Sequence, residues 1–144
     1  MLFDKTIAVV VPAYNEERQV RQVLETMPDF VDRIIVVNDC STDNTAATVL
    51  DYISKQKSVQ PTIKNNVIDP HDNKYNRAEH LLKEKQQTDM EYFISSKVAN
   101  AHPESDRVIL INNLINSGVG AAIARGYKWC LDNNIDCTAV MAGD

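Results

Sequence analysis

The chain has 144 residues, 44% of them hydrophobic, with four glycines and a formal net charge of −5 from 15 basic and 20 acidic side chains. That length holds one domain with a real core, and the acidic balance argues against a dedicated nucleic-acid binder. No apolar run approaches the roughly 18–20 residues that span a bilayer, and the start MLFDKT has no apolar stretch of the kind that marks a secretory signal.

The first element is predicted at Ile7–Val11, five apolar residues that break at Pro12. A short apolar run of this kind reads as a strand buried on both faces, as in a parallel sheet. The chain then turns through Ala13, Tyr14 and Asn15, with Asn15 placed to cap a helix whose first turn holds Glu16 and Glu17. Val20, Val23, Leu24 and Met27 recur at helical spacing and give that helix one buried face, and Pro28 stops it. A second buried strand is predicted at Arg33–Asn38. Asp39 to Asp43 follow, with Ser41 or Thr42 as cap for a helix striped by Ala46, Val49, Leu50 and Ile53. Strand, helix, strand, helix in this rhythm builds right-handed crossovers and a parallel sheet.

The segment at about 57–106 departs from the rhythm and reads as an insertion. Thr62–Ile68 suggests a short strand, residues 69–73 carry turn chemistry, and Ala78–Gln86 suggests a helix. Thr88-Asp89-Met90-Glu91 matches a capping box, which predicts a second helix running to about Ala101 with Tyr92, Phe93, Ile94 and Val98 on its buried face. The main pattern resumes with a strand at Arg107–Asn112 and a loop over Asn113–Ser117. A helix follows with Ile123, Gly126, Tyr127, Cys130 and Leu131 on one face, and then a strand at Thr138–Ala142. A buried parallel strand this near the last residue predicts that the 144 residues are the amino-terminal part of a longer protein.

Cys40, Cys130 and Cys137 are odd in number and lack CxxC spacing, which suggests buried thiols in a reducing compartment. His71, His80 and His102 show no metal-ligand pattern. Candidate functional residues gather instead at the carboxyl ends of the predicted strands, the edge where open α/β sheets bind ligands. They are Pro12, Ala13, Tyr14 and Glu16; Asp39; the Asn116–Gly120 turn with Gly118 and Gly120; and Asp144. Together they offer an aromatic face, a carboxylate acceptor for a ring N–H, a glycine turn whose N–H groups can approach phosphate, and an oxygen ligand for a hard cation. Each also has a purely structural use. Tyr14 can rest half-buried beside the sheet, Asp39 and Asp43 can cap a helix, and the glycines can relieve a tight turn.

VVVPAYNEE, IIVVNDCSTDNT, NLINSGVGAAIARGY and a strand ending in MAGD, in that order, resemble the family 2 glycosyltransferases, and within them the dolichol- or polyprenol-phosphate sugar synthases. The resemblance covers Lys5–Lys55 and Arg107–Asp144. It implies a Rossmann-like open parallel sheet flanked by helices, the nucleotide-binding half of a GT-A fold, carrying a helical insertion. It implies a UDP- or GDP-sugar donor, a lipid-phosphate or glycan acceptor, and Mg²⁺ or Mn²⁺ on the donor diphosphate. By position, Pro12, Ala13 and Tyr14 would hold the base, with Glu16 near base or ribose. Asp39 would accept from a ring N–H of uracil or guanine, and Gly118, Gly120 and Arg125 would belong to the third helix and its loop. Asp144 would be the last acid of a DxD metal motif. Asn38 and Ala142 replace acids of the family pattern. The expected setting is cytoplasmic, at the face of a membrane in a longer protein, and the chain alone is expected to bind donor without turnover.

Two other classes fit parts of the sequence. Gly118-Val119-Gly120 resembles the start of a dinucleotide-binding GxGxxG, although Ile123 stands at the third glycine, and this would make the chain an oxidoreductase domain. A receiver-like signalling module would use Asp39 as phosphoacceptor, but no acidic pair follows the first strand at a suitable place.

Overall fold

The computed structural model describes residues 1–56 and 95–142. Its element order is β1 (Ile7–Ala13), α1 (Val20–Glu25), β2 (Arg33–Asn38), α2 (Thr45–Lys55), β3 (Ser96–Val98), β4 (Val108–Asn113), α3 (Val119–Asp132) and β5 (Cys137–Val140). The sheet has five strands in the order β3-β4-β2-β1-β5. β1 pairs in parallel with β2 and β5, and β2 in parallel with β4, while β3 runs antiparallel to β4. The sheet is therefore mixed, four parallel strands with one antiparallel edge, where the sequence predicts parallel strands alone.

Alternation along the central strands divides the core. Val9, Val11, Ile34, Val36, Val108 and Leu110 face α1 and α2, meeting Val20, Leu24, Met27, Val49 and Tyr52. Val10, Ile35, Val37, Ile109 and Ile111 face the other way, onto Ala122 and Cys130 of α3. Burial on both faces explains why β1, β2 and β4 read as continuous apolar runs rather than alternating ones.

β1 continues through Pro12 to Ala13. Residues 8 and 10 turn their backbone polar groups toward β5, so Pro12 does too by parity. β5 ends opposite Val10, leaving no ladder bond there for a proline to spoil. At the end of β1, Ala13 lies in register with Asn38, and Asn38 with Asn112 of β4. That shared row is the carboxyl edge of the sheet.

Several local expectations give way. α1 starts at Val20, not at Asn15; Glu16–Gln19 form a turn closed by the Glu16 carbonyl, and no acidic residue lies in the first helical turn. In α2 the buried positions are Thr45, Val49 and Tyr52, whereas Leu50 is exposed, because the Tyr52 ring fills the space beside α1 and its hydroxyl donates to the Leu24 carbonyl. In α3 the buried face holds Ala122, Arg125, Gly126, Lys128 and Cys130, while Tyr127 and Leu131 are exposed. The long stem of Lys128 lies buried while its Nζ donates to Asp132 Oδ1 at 3.0 Å, so hydropathy alone mislocates the face.

The helix predicted to reach Ala101 is replaced at its end by β3, whose three residues pair with β4 and are followed by the Ala99 N–H donating to the Leu110 carbonyl. The predicted strand at Thr62–Ile68, the turn at 69–73, the helix at Ala78–Gln86, the start of the capping-box helix, His71, His80, Gly143 and Asp144 lie outside the described residues. Of the three cysteines only Cys130 is buried; Cys40 and Cys137 are exposed, contrary to expectation. Burial pushes the Cys130 thiol up to about 11, despite a hydrogen bond with Thr138 that pulls the other way. No helix among the described residues is long and apolar enough to cross a membrane.

Candidate functional site

Three loops leave the carboxyl edge of the sheet, and hydrogen bonds sew them together. The first two are the turn after β1 and the loop between β2 and α2. The Asn15 N–H donates to Ser41 Oγ at 3.0 Å, and Asn15 Oδ1 accepts from the Thr42 N–H at 2.9 Å and the Thr42 hydroxyl at 3.2 Å. The Glu16 N–H donates to Thr45 Oγ1, and the Glu17 carboxylate accepts from the Asn44 N–H. Asn15 is thus a bridge between loops rather than the cap of α1. Ser41 and Thr42 serve the same bridge rather than capping α2, whose N-cap is Asn44. Asp43 accepts from the Thr45 N–H and hydroxyl and from the Glu17 N–H. Burial would raise the Asp43 carboxyl, but these bonds outweigh it and hold it below its ordinary value.

Asn15 has a φ of +53° and Cys40 one of +58°, so both loops pass through the left-handed region that side chains other than glycine, asparagine and aspartate rarely enter. Replacing Asn15 by alanine removes the Thr42 bonds and leaves a residue poorly suited to that backbone. A loss of about 1–2 kcal/mol is expected, to be read from urea unfolding midpoints. An unchanged midpoint would show that the bridge carries no stability.

The third loop, between β4 and α3, is tied to Asp39. Asp39 Oδ1 accepts from Asn113 Nδ2 at 3.1 Å, the Ser117 N–H at 3.0 Å and the Ser117 hydroxyl at 2.9 Å, and Oδ2 accepts from the Gly118 N–H at 2.9 Å. Burial would raise this carboxyl, but the Ser117 N–H, the Asn113 and Ser117 side chains and the Gly118 N–H together hold it below its ordinary value. Gly118 reaches the carboxylate with a φ of +89°, a conformation that favours glycine. Its neighbour Asn38 is also committed: Nδ2 donates to Asn112 Oδ1 at 2.9 Å, and Oδ1 accepts from the Ser41 N–H at 3.1 Å. An amide gives and accepts here at once, which a carboxylate at 38 cannot do.

Between the loops lies a pocket of about 310 Å³ lined by Pro12, Ala13, Tyr14, Glu16, Asp39, Val119, Ala122 and Ala142. Five of the residues singled out from the sequence therefore share one cavity, and Tyr14, 47% exposed, presents its ring at the rim. Gly118 adjoins the pocket through Asp39 and Val119, and Gly120 lies in the first turn of α3 with open space beside it. Arg125 is not among the lining residues. It is buried within α3, where desolvation lowers its guanidinium and Asp132 opposes the shift.

Val119, inside the predicted Asn116–Gly120 turn, lines the pocket, while Ala122 escapes a reading that looks for polar groups, since it is an apolar helix residue that becomes pocket wall only once Gly118 starts the helix. Asn113 escapes it too, although a polar residue directly after an apolar strand was its signal, whereas Ser117 lies in the predicted turn.

No trio of His, Cys, Asp or Glu side chains among the described residues is arranged to hold a metal ion. Asp39, which lines the pocket, already accepts from Asn113, Ser117 and Gly118 of the β4–α3 loop, and Ala142 offers the pocket only a methyl group. The described residues alone do not fit a metal centre.

The chain matches the family described as Glycosyl transferase family 2 over residues 8–69, a stretch that takes in all of β1 but its first residue, and α1, β2 and α2. It is 33% identical over 72 residues to a dolichyl-phosphate beta-glucosyltransferase of Trichomonas vaginalis, a match covering 40% of this chain and 22% of that protein. It is 44% identical over 43 residues to the UDP-N-acetylglucosamine–dolichyl-phosphate N-acetylglucosaminyltransferase of Methanococcus voltae, covering 29% of this chain and 17% of that protein. A second dolichyl-phosphate beta-glucosyltransferase of Trichomonas vaginalis is 42% identical over 62 residues, covering 35% of this chain and 18% of the relative. The matched stretch spans about a fifth of the length of these relatives. Over residues 8–69 the chain is therefore similar to the family 2 glycosyltransferases, and the relatives it resembles there are dolichyl-phosphate sugar transferases, which agrees with its α/β sheet.

Proposed function

We propose that this chain is the donor-binding part of a glycosyltransferase that moves a sugar from a UDP- or GDP-sugar to a lipid-phosphate or glycan acceptor. The observation that carries the reading is the pocket itself, with an aromatic ring, a buried carboxylate and an apolar floor at the carboxyl edge of the sheet. Tyr14 is the stacking face for the base, and Asp39 is the acceptor for a ring N–H. The first turn of α3, entered through Gly118 and Gly120, supplies N–H groups for phosphate. Arg125 adds positive charge on the same helix. Mg²⁺ or Mn²⁺ on Asp144 belongs to this proposal, and its chemistry is to stabilise the charge that develops on a leaving diphosphate. The setting proposed is the cytoplasmic face of a membrane, where a lipid phosphate is presented. The relatives named above extend far beyond the matched stretch, which supports donor binding without multiple turnover by these 144 residues.

The test is calorimetric titration with UDP, GDP and their sugar conjugates, with and without Mn²⁺, on the wild type and on Tyr14→Ala. Tyr14 is half exposed, so its loss is expected to shift the melting temperature only slightly. It should weaken nucleotide binding by about 1–3 kcal/mol, the range for losing an aromatic stacking partner. Absence of binding by every sugar nucleotide would overturn the reading. Multiple turnover by the chain alone would overturn its second half.

A further inference from the structure

We propose that Asn113 and Ser117 decide which base the pocket accepts, by occupying one oxygen of Asp39, and that the donor base is uracil rather than guanine. This rests on the donor-site reading above and adds a selection rule to it. A carboxylate has about four lone-pair positions, two on each oxygen. Asp39 Oδ1 already receives three donors, Asn113 Nδ2, the Ser117 N–H and the Ser117 hydroxyl, and Oδ2 receives one, the Gly118 N–H. Acceptor capacity for a ligand is therefore a single position on Oδ2.

The bases differ in what they ask of a carboxylate. Guanine presents a ring N–H and an adjacent exocyclic amine, a fork that calls for two carboxylate oxygens side by side. Uracil presents one ring N–H between two carbonyls and needs one. Hypoxanthine is guanine without the amine, so it also needs one. Cytosine has a ring acceptor at that place and would face the carboxylate lone pair to lone pair. Against Asp39, which is itself buried, a donor left without an acceptor costs more than the bond it fails to form gains. Guanine therefore leaves its amine unsatisfied against Oδ1, whose positions are filled by the protein's own loop.

The test compares UDP, IDP, GDP and CDP by calorimetry on the wild-type chain, and it needs no variant to read the main result. The pair IDP and GDP is matched in size and differs only in the amine. UDP and IDP are each expected to bind about tenfold or more tightly than GDP, with CDP weaker still. In the Asn113→Ala/Ser117→Ala double variant, checked for folding by its thermal transition, Oδ1 keeps only the Ser117 N–H. The IDP-to-GDP ratio is then expected to fall by about threefold or more. GDP binding as well as IDP or UDP to the wild type overturns the selection rule while leaving donor binding intact. A folded double variant with an unchanged ratio overturns it too. Failure of all four nucleotides to bind overturns the donor-site reading and this inference with it.

Discussion

Replacing Asp39 by alanine is expected to destabilise the chain by about 3 kcal/mol, since hydrogen bonds to a charged acceptor are worth more than neutral ones and four are lost together. For a chain of this size the loss corresponds to a fall of roughly 6–12 °C in melting temperature. The donors left behind are Asn113 Nδ2, the Ser117 N–H and hydroxyl, and the Gly118 N–H, so the whole entry to α3 loses its anchor. Asp39→Asn keeps one oxygen and turns an amide toward another N–H, and an intermediate loss is expected. The pH dependence follows from the same bonds. The folded carboxyl is held below its ordinary value, with burial opposing and the Ser117, Asn113 and Gly118 donors prevailing. A carboxyl depressed in the folded state stabilises fully above its unfolded value, about 3.9, and the contribution disappears as pH falls through the folded value. The gap between wild type and Asp39→Asn in urea denaturation should therefore be level above about pH 5 and shrink below about pH 4. A gap that widens in acid would mean that Asp39 is not the charged anchor of the loop. The experiment also bears on function. Because Asp39 holds the α3 entry, weak nucleotide binding by Asp39→Ala has two causes, and Tyr14→Ala is the cleaner probe of the pocket.

The elements that were legible in the sequence are those whose information is local. β2 lies at Arg33–Asn38 as the apolar run predicts, and the stripe Val20, Leu24, Met27 faces the core although α1 starts four residues later than its predicted cap implies. The convergence of Tyr14 and Asp39 on one pocket was legible as well, because strand ends in a parallel sheet share an edge. What was hidden depends on partners distant in the chain. The Asp39 donors lie 74 to 79 positions further on, so no spacing rule links them to it. Asn15 looks like a helix cap because its side chain can satisfy a free N–H. The N–H that its Oδ1 satisfies is that of Thr42, 27 positions away in another loop, and its own N–H donates to Ser41 Oγ, 26 positions away. β3 has three residues, too few for any periodicity, and its strand character comes from Ser96, Lys97 and Val98 lying against Asn113, Asn112 and Ile111. In α3, Arg125 and Lys128 are buried and Tyr127 and Leu131 are exposed, the reverse of what hydropathy ranks.

Gly126→Ala is the second substitution with a large expected effect, and its sign is set by one neighbour. A Cβ at position 126 would overlap Val10 Cγ1 and lie 2.9 Å from Cγ2. Val10 is fully buried on the central strand β1, and a β-branched side chain has little freedom to turn aside. Alanine is a better helix former than glycine by about 1 kcal/mol. Overpacking a tight core costs about 1–3 kcal/mol and sometimes more. The clash is expected to win, for a net loss of about 2 kcal/mol, and Gly126→Val should lose more. The displaced helix carries Val119 and Ala122, two walls of the pocket, so nucleotide affinity should fall alongside stability. Val10→Ala removes both methyl groups that a Cβ at 126 would strike, at a cavity cost of its own. In the Val10→Ala/Gly126→Ala double variant the alanine methyl enters that space, and the two losses should fall short of adding by about 1 kcal/mol or more. Urea denaturation of the four chains in the cycle measures the coupling, and nucleotide titration shows whether the pocket wall returns with it. Strict additivity would place the cost of Gly126→Ala elsewhere than in its contact with Val10.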